Sequence, residues 1–195
     1  IILHMISRVS KILEIKIKEI NAGNFEFNGR MPAPFISHPK AKRANELPLV
    51  CLRKKITLKN IPQKMWLQLI ANSHVYIWVN GQEVGHITAR RSLSGVAEQW
   101  RVKAWDISKY LITGENTIAV RVKNYVPGEH AAANIWLASP DAQIIVTSDE
   151  HWKALDRIED GWSESEYKDE YWVSAVPIEN RWIISRPYFE QEILS

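Results

Sequence analysis

The sequence predicts an all-β protein, an antiparallel β-sandwich, and three observations carry that prediction. Apolar and polar residues alternate with period two in short runs such as "KMWLQLIA" and "TIAVRVKNY", so each run can lay one face on a core. Asn, Gly and Pro separate the runs, and Asn80-Gly81 is the strongest hairpin signal among them. No long stretch carries the three-and-four apolar spacing of an amphipathic helix.

Taken in order, residues 11–20 alternate apolar and charged side chains as an edge strand does. Residues 21–48 hold four prolines and two glycines and read as a long irregular segment over the surface. Residues 49–60, "LVCLRKKITLKN", form a strand that ends at Asn60 before the turn "IPQ". "KMWLQLIA" follows, with Leu67, Leu69 and Ala71 on one face and Trp66, Gln68 and Ile70 on the other. "HVYIWVNG" directs Val75, Ile77 and Val79 to the core and Tyr76 and Trp78 away from it.

Residues 86–99 read as a long loop. "WRVKAW" then alternates, with Trp100, Val102 and Ala104 apolar. In "DISKYLITGEN", Asp106 is placed to cap the amides of one helical turn, which closes at Gly114-Glu115-Asn116. "TIAVRVKNY", "NIWLAS" and "AQIIVTS" are further strands, the first two joined by the loop "VPGEHAAA". The predicted core is Leu67, Leu69, Val75, Ile77, Val79, Ile118, Val120 and Val122. A register slip of one residue would turn each of them outward.

Beyond Ser148 the character changes. "DEHWKAL" at Asp149 is echoed twenty residues later by "DEYWVSA" at Asp169, with Glu159, Asp160, Glu164 and Glu166 between them. In each echo an acidic pair can cap a turn while the Trp three residues after the Asp plugs an apolar gap. "RPYFEQEIL" then begins another strand before the chain stops, which suggests a piece of a longer protein. These signals divide the chain into an N-terminal strand and irregular segment (1–48), a sandwich (49–155), and an acidic loop and extension toward a following module (156–195).

Composition narrows the function. At 195 residues the chain holds one sandwich with extensions, and its nine tryptophans supply aromatic surface for packing or recognition. The net charge of +3 is uneven: residues 1–64 carry 13 Lys/Arg against 4 Asp/Glu, the remainder 12 against 18. The basic charges are scattered through strand-like alternation, so a nucleic-acid partner is not expected. No apolar run is long enough for a membrane-spanning helix, and no membrane partner is expected. The single cysteine, Cys51, lies in "LPLVCL" and reads as a buried, inert thiol. The six histidines are dispersed, so neither a transition-metal site nor a cofactor is expected, although a structural calcium on the acidic loop is left open. Compartment is also left open, because the chain begins at Ile1 and the lack of a leader pattern says nothing about export.

The run "LRKKITL … MWLQLIANSHVYIWVNGQEVG … WDISKYLITGENTIAVRV" resembles the galactose-binding-like jelly-roll domains of glycoside hydrolases. Such domains accompany bacterial α-L-rhamnosidases and the β-galactosidase/β-glucuronidase group. The matching residues are Arg53, Asn80, Gly81, Gly85, Asp106, Ser108, Gly114, Asn116, Ile118, Val120 and Val122. "SDEHWKA" followed by "GW … YKDEYWVSA" is similar to a signature of the rhamnosidase type, through Asp149, Trp152, Gly161, Trp162, Asp169, Trp172 and Ala175. The resemblance implies that the catalytic residues lie in a separate barrel, so no catalytic residue is expected here. It also implies a catalytic module of the same polypeptide as partner and a weakly bound carbohydrate as candidate ligand. The acidic-loop carboxylates are read as solvated, since they lack the apolar neighbours that raise a general acid's pKa.

Two groups of residues are candidates for sugar contact. If the strands holding them pair, Trp66, Tyr76 and Trp78 form an aromatic patch on the side away from the core. The preferred reading is that this patch packs against the N-terminal segment or a missing catalytic module, with a sugar platform as the alternative. Loop residues form the second group: Arg90, Arg91 and Trp100, with Tyr125, Glu129 and His130, combine donors, acceptors and stacking surface. They serve equally as a solvent rim.

Overall fold

The structure is a computed structural model, and it describes residues 33–71, 74–88, 102–125, 127–139, 144–178 and 191–194. The predicted strand at 11–20 and the candidates Arg90, Arg91 and Trp100 lie outside the described residues.

Thirteen strands are described: β1 (Phe35–Ser37), β2 (Leu49–Leu58), β3 (Trp66–Ala71), β4 (His74–Val79), β5 (Gln82–Ile87), β6 (Val102–Asp106), β7 (Gly114–Lys123), β8 (Ala133–Ala138), β9 (Ile144–Thr147), β10 (Lys153–Leu155), β11 (Val173–Ser174), β12 (Val176–Ile178) and β13 (Gln191–Leu194). One sheet runs β12-β1-β8-β3-β6-β13, with β9 also paired to β8, and the other runs β11-β10-β2-β7-β4-β5. Their inner faces meet in a single core, the sandwich that the alternation predicts. All eight predicted core residues are fully buried there.

Local chemistry sets the elements. Asn80 and Gly81 both have positive φ (51° and 77°), as a two-residue type I′ hairpin requires, and they join β4 to β5. The Asn80 side chain locks the turn in place. Its Nδ2 donates to Tyr110 O and Asn116 Oδ1, both at 2.9 Å, and its Oδ1 accepts from Thr117 N at 2.8 Å. Gly85 on β5 faces the Trp105 indole, where an added Cβ would lie 2.7 Å from Nε1, so only glycine allows that approach across the sandwich. Asp106 lies just before the 3-10 turn Ser108–Tyr110, and as expected its Oδ1 accepts from Ser108 N, at 3.0 Å. Asn116 Nδ2 donates to Ile112 O at 2.7 Å and its Oδ1 accepts from Ile112 N at 2.8 Å, which closes the following turn.

Three expectations need correction. β3 and β4 do not pair: β3 lies between β8 and β6, and β4 lies between β7 and β5 in the opposite sheet. A chain segment after a strand can cross the sandwich as readily as reverse beside it, and period-two alternation is the same in both cases. The loop read at 86–99 starts later, because His86 and Ile87 still belong to β5. The final strand, β13, finds a partner within the chain, pairing in parallel with β6 from Gln191↔Val102 to Leu194↔Trp105.

Candidate functional site

The broken pairing of β3 and β4 splits the expected aromatic patch. Trp66, Gln68 and Ile70 lie on the outer face of the first sheet and are buried, at 8%, 1% and 1% exposure. Ile70 joins Phe35, Val102, Ala132, Trp136 and Ala138 in a second apolar cluster on that side. Trp66 is buried on the same side, with Lys64 Nζ 5.5 Å from its ring centroid.

Tyr76 and Trp78 lie on the outer face of the second sheet, and most of what covers that face comes from residues 156–172. Trp162, Trp172, Leu155, Cys51 and Ala119 form a cluster with Trp78 and Tyr167 packed against it. Trp78 meets Trp162 edge-on at 5.2 Å, and Trp162 stacks on Trp172 at 6.1 Å. Among the described residues the Trp78 side of this face thus packs against the acidic loop, where the expected cover was the N-terminal segment or a missing catalytic module. Burial in this cluster pushes the Cys51 thiol up to about 12, so the thiol is inert as expected.

Arg53 holds the loop in place. Alternation along β2 turns it outward beside Cys51, yet it is fully buried. Its Nε donates to Asp169 Oδ2 at 2.9 Å. Its Nη1 donates to Trp162 O and Glu164 O, at 2.5 and 2.9 Å, and its Nη2 to Tyr167 O at 3.4 Å. One planar fork therefore answers three loop carbonyls and a carboxylate, a task for which a lysine ammonium has the wrong shape. In the sequence, Arg53 stands only as one of the residues that carry the family resemblance. The available signal was the position of Arg53 on the same face as Cys51, under the tryptophans of the acidic repeat.

Both acidic echoes fold into turns that bury the Trp as read, but only Asp149 caps its turn with a carboxylate, accepting from His151 N at 2.9 Å, whereas the Asp169 carboxylate goes to Arg53. Trp152 N and Trp172 N bond the carbonyls of Asp149 and Asp169, at 3.3 and 3.0 Å, and both indoles are buried. The strands they lead into pair with each other, Lys153↔Ser174 and Ala154↔Val173. The loop between them is not a set of free carboxylates, however. Glu159 accepts from the hydroxyls of Tyr167 and Tyr171, and from Arg157 Nε at 2.7 Å. Asp160, Glu164 and Glu166 are exposed, as expected.

These contacts set the acid behaviour. The tyrosine hydroxyls, Tyr167 first, hold the Glu159 carboxyl below the usual range, opposite to what a general acid needs. A hydrogen bond from Lys40 lowers Asp156 in the same way, and burial lowers His38. For a carboxylate with a depressed folded value, the added stability is present above its ordinary pKa and lost as pH falls through the folded one. A neutral His38 also favours the fold above its ordinary value of 6.5. The melting temperature should therefore hold at neutral pH and fall steadily on acidification, with a shallower acid limb in Glu159→Gln. Melts recorded across the acid range check this, and a fold that gains stability in acid would contradict it.

Of the remaining candidates, Tyr125 is exposed beside His74, with ring centroids 4.8 Å apart, and Lys123 Nζ sits 4.8 Å from its ring. His130 bridges Leu47, whose amide bonds the Glu129 carbonyl at 3.2 Å, so these two fix the loop against the segment before β2. The described residues include no group of three or more His, Cys, Asp and Glu placed to hold a metal ion. Nor do they include a helix long and apolar enough to cross a membrane.

The sheet carrying Tyr76 and Trp78 thus presents two zones. One lies under the loop. The other is half-exposed and aromatic: Tyr76 stacks with Trp78 at 6.0 Å and with His86 at 5.4 Å, their planes within 20° and 25° of parallel. The Arg121 guanidinium lies 4.3 Å from the Tyr76 centroid and 5.4 Å from that of Trp78.

No family model and no curated protein matches the chain. Solved structures do match. An α-L-rhamnosidase of Streptomyces avermitilis, complexed with L-rhamnose, is 23% identical with a TM-score of 0.62, over 74% of this chain and 14% of the other. A rhamnosidase of Bacillus sp. GL1 is 18% identical with a TM-score of 0.63, over 83% of this chain and 20% of the other. A lectin of Pleurotus ostreatus in complex with GalNAc is 18% identical with a TM-score of 0.59, over 88% of this chain and 49% of the other. The β-sandwich fold read from the sequence is therefore matched in three dimensions, and the fold corresponds to only part of each of those chains.

Proposed function

We propose that this chain is a non-catalytic accessory module of a glycoside hydrolase of the α-L-rhamnosidase type, with weak carbohydrate binding on the Tyr76–Trp78 face. The observation that carries the proposal is the row of near-parallel, half-exposed rings beside Arg121, on a sandwich whose solved likenesses are parts of rhamnosidases and a lectin. Sugar C–H faces pack on such rings while neighbouring polar groups take the hydroxyls. The partner would be a catalytic barrel of the same polypeptide. The low pKa of Glu159 and the engagement of Asp169 by Arg53 support a loop that serves packing instead of acid–base work.

A second reading, a purely structural domain that orients a barrel without touching sugar, draws on the edge contact of Trp78 with Trp162. Trp78→Ala separates the two. Titration with mono- and oligosaccharides should give a Kd of about a millimolar for the unmodified chain, as a few stacking contacts provide. The variant should lose that binding and about 1–3 kcal/mol of stability, less than a fully buried aromatic costs. Unchanged saccharide binding in a destabilised variant would favour the structural reading.

A further inference from the structure

We propose that Arg121 is an anion-recognition residue, and that the sugar bound on this face carries a carboxylate, as a uronic-acid residue does. The inference rests on the carbohydrate reading above and specifies its ligand class. Arg121 sits on β7 directly opposite Tyr76 on β4. Its guanidinium is held by rings, 4.3 Å from the Tyr76 centroid and 5.4 Å from that of Trp78. Among the described residues it has neither a hydrogen-bond acceptor nor a carboxylate partner; ring contacts are what the structure gives it. The contrast with Arg53 on the neighbouring strand is direct. There every nitrogen of the fork has an acceptor.

A guanidinium fixed by aromatic faces keeps its N–H edge free for a planar, two-oxygen acceptor at little further ordering cost. The surroundings favour the same sign of charge. Lys123 follows two residues along β7, opposite His74, and its Nζ lies over the Tyr125 ring. Of the acids on this side, Glu83 opposite Trp78 is engaged by His86 Nδ1 at 3.2 Å, and Glu159, close enough to act on Cys51 across from Arg121, is engaged by Arg157, Tyr167 and Tyr171. A saccharide fits this mixture better than a bare anion does, because the Tyr76, Trp78 and His86 rings give its apolar face something to lie on.

The test uses the full chain and three probes: an oligogalacturonate, the same oligomer as its methyl ester, and an acidic peptide without sugar. Intrinsic tryptophan fluorescence and calorimetry read the binding, and thermal melts check that Arg121→Gln remains folded. The acid should bind roughly tenfold more tightly than its ester in low salt, and Arg121→Gln should remove that difference. Raising salt from about 0.02 M to about 0.5 M should narrow it as well. Equal binding of acid and ester would overturn the carboxylate proposal and leave the sugar reading standing. Binding of neither saccharide would overturn both on this face. Peptide binding as tight as that of the oligogalacturonate would show an acidic protein surface as the partner and overturn the saccharide assignment.

Discussion

Arg53→Met should destabilise the fold by about 3–5 kcal/mol, the range for a buried charge network that loses one member. The methionine fills much of the same space, so the loss comes from hydrogen bonding and not from a cavity. Three loop carbonyls, of Trp162, Glu164 and Tyr167, would be left without their donor, and so would the Asp169 carboxylate. Asp169 keeps 16% exposure, which places the effect toward the lower end of that range. Arg53→Lys should recover little, because one ammonium cannot reach four acceptors spread around a plane. Denaturant melts give the stability. Amide exchange should quicken first at residues 156–172, where the loop would lift from the sheet. A variant that melts within about 0.5 kcal/mol of the unmodified chain would remove Arg53 from its role.

Trp152→Ala should cost a similar 3–5 kcal/mol for a different reason. Trp152 is fully buried between the sheets, and its Nε1 donates to Thr147 O at 2.9 Å. Removal opens a cavity that β-strands on both sides are too constrained to fill, and it orphans a carbonyl. Its counterpart in the second echo, Trp172, belongs to the smaller cluster outside the sheet, where the loop has more room to settle. Trp172→Ala should therefore cost less. Equal losses from the two substitutions, measured by chemical denaturation, would mean that the outer cluster is as rigid as the inter-sheet core.

The comparison of these two tryptophans also marks where the sequence was legible. Period-two alternation placed Val75, Ile77, Val79, Ile118, Val120 and Val122 in the core, because side-chain direction in a strand is a local property. Asn80-Gly81 and Asp106 were readable for the same reason: their hydrogen bonds close within or near their own turns. Strand partnership was not readable. Whether β4 pairs with β3 or lies in the other sheet is decided by tertiary packing, and the joint Trp66–Trp78 patch depended on that choice. Arg53 was legible as a position in a family pattern but not as a clamp, since its acceptors are backbone carbonyls more than one hundred residues away. Carbonyls carry no residue-type signal. The Arg121 stack was not readable either, because the β4–β7 pairing that brings it to Tyr76 is a matter of strand partnership.

Turnover by the purified chain tests the accessory-module reading most directly. Incubated with a panel of aryl glycosides that includes an aryl α-L-rhamnoside, the chain should release no aglycone above the buffer rate. Glycoside hydrolysis asks for two carboxylates facing across a sugar, one of them held protonated, whereas Glu159 is held ionised and Asp169 is bound to Arg53. Release that survives repurification and falls on replacement of an acidic-loop carboxylate would contradict the reading.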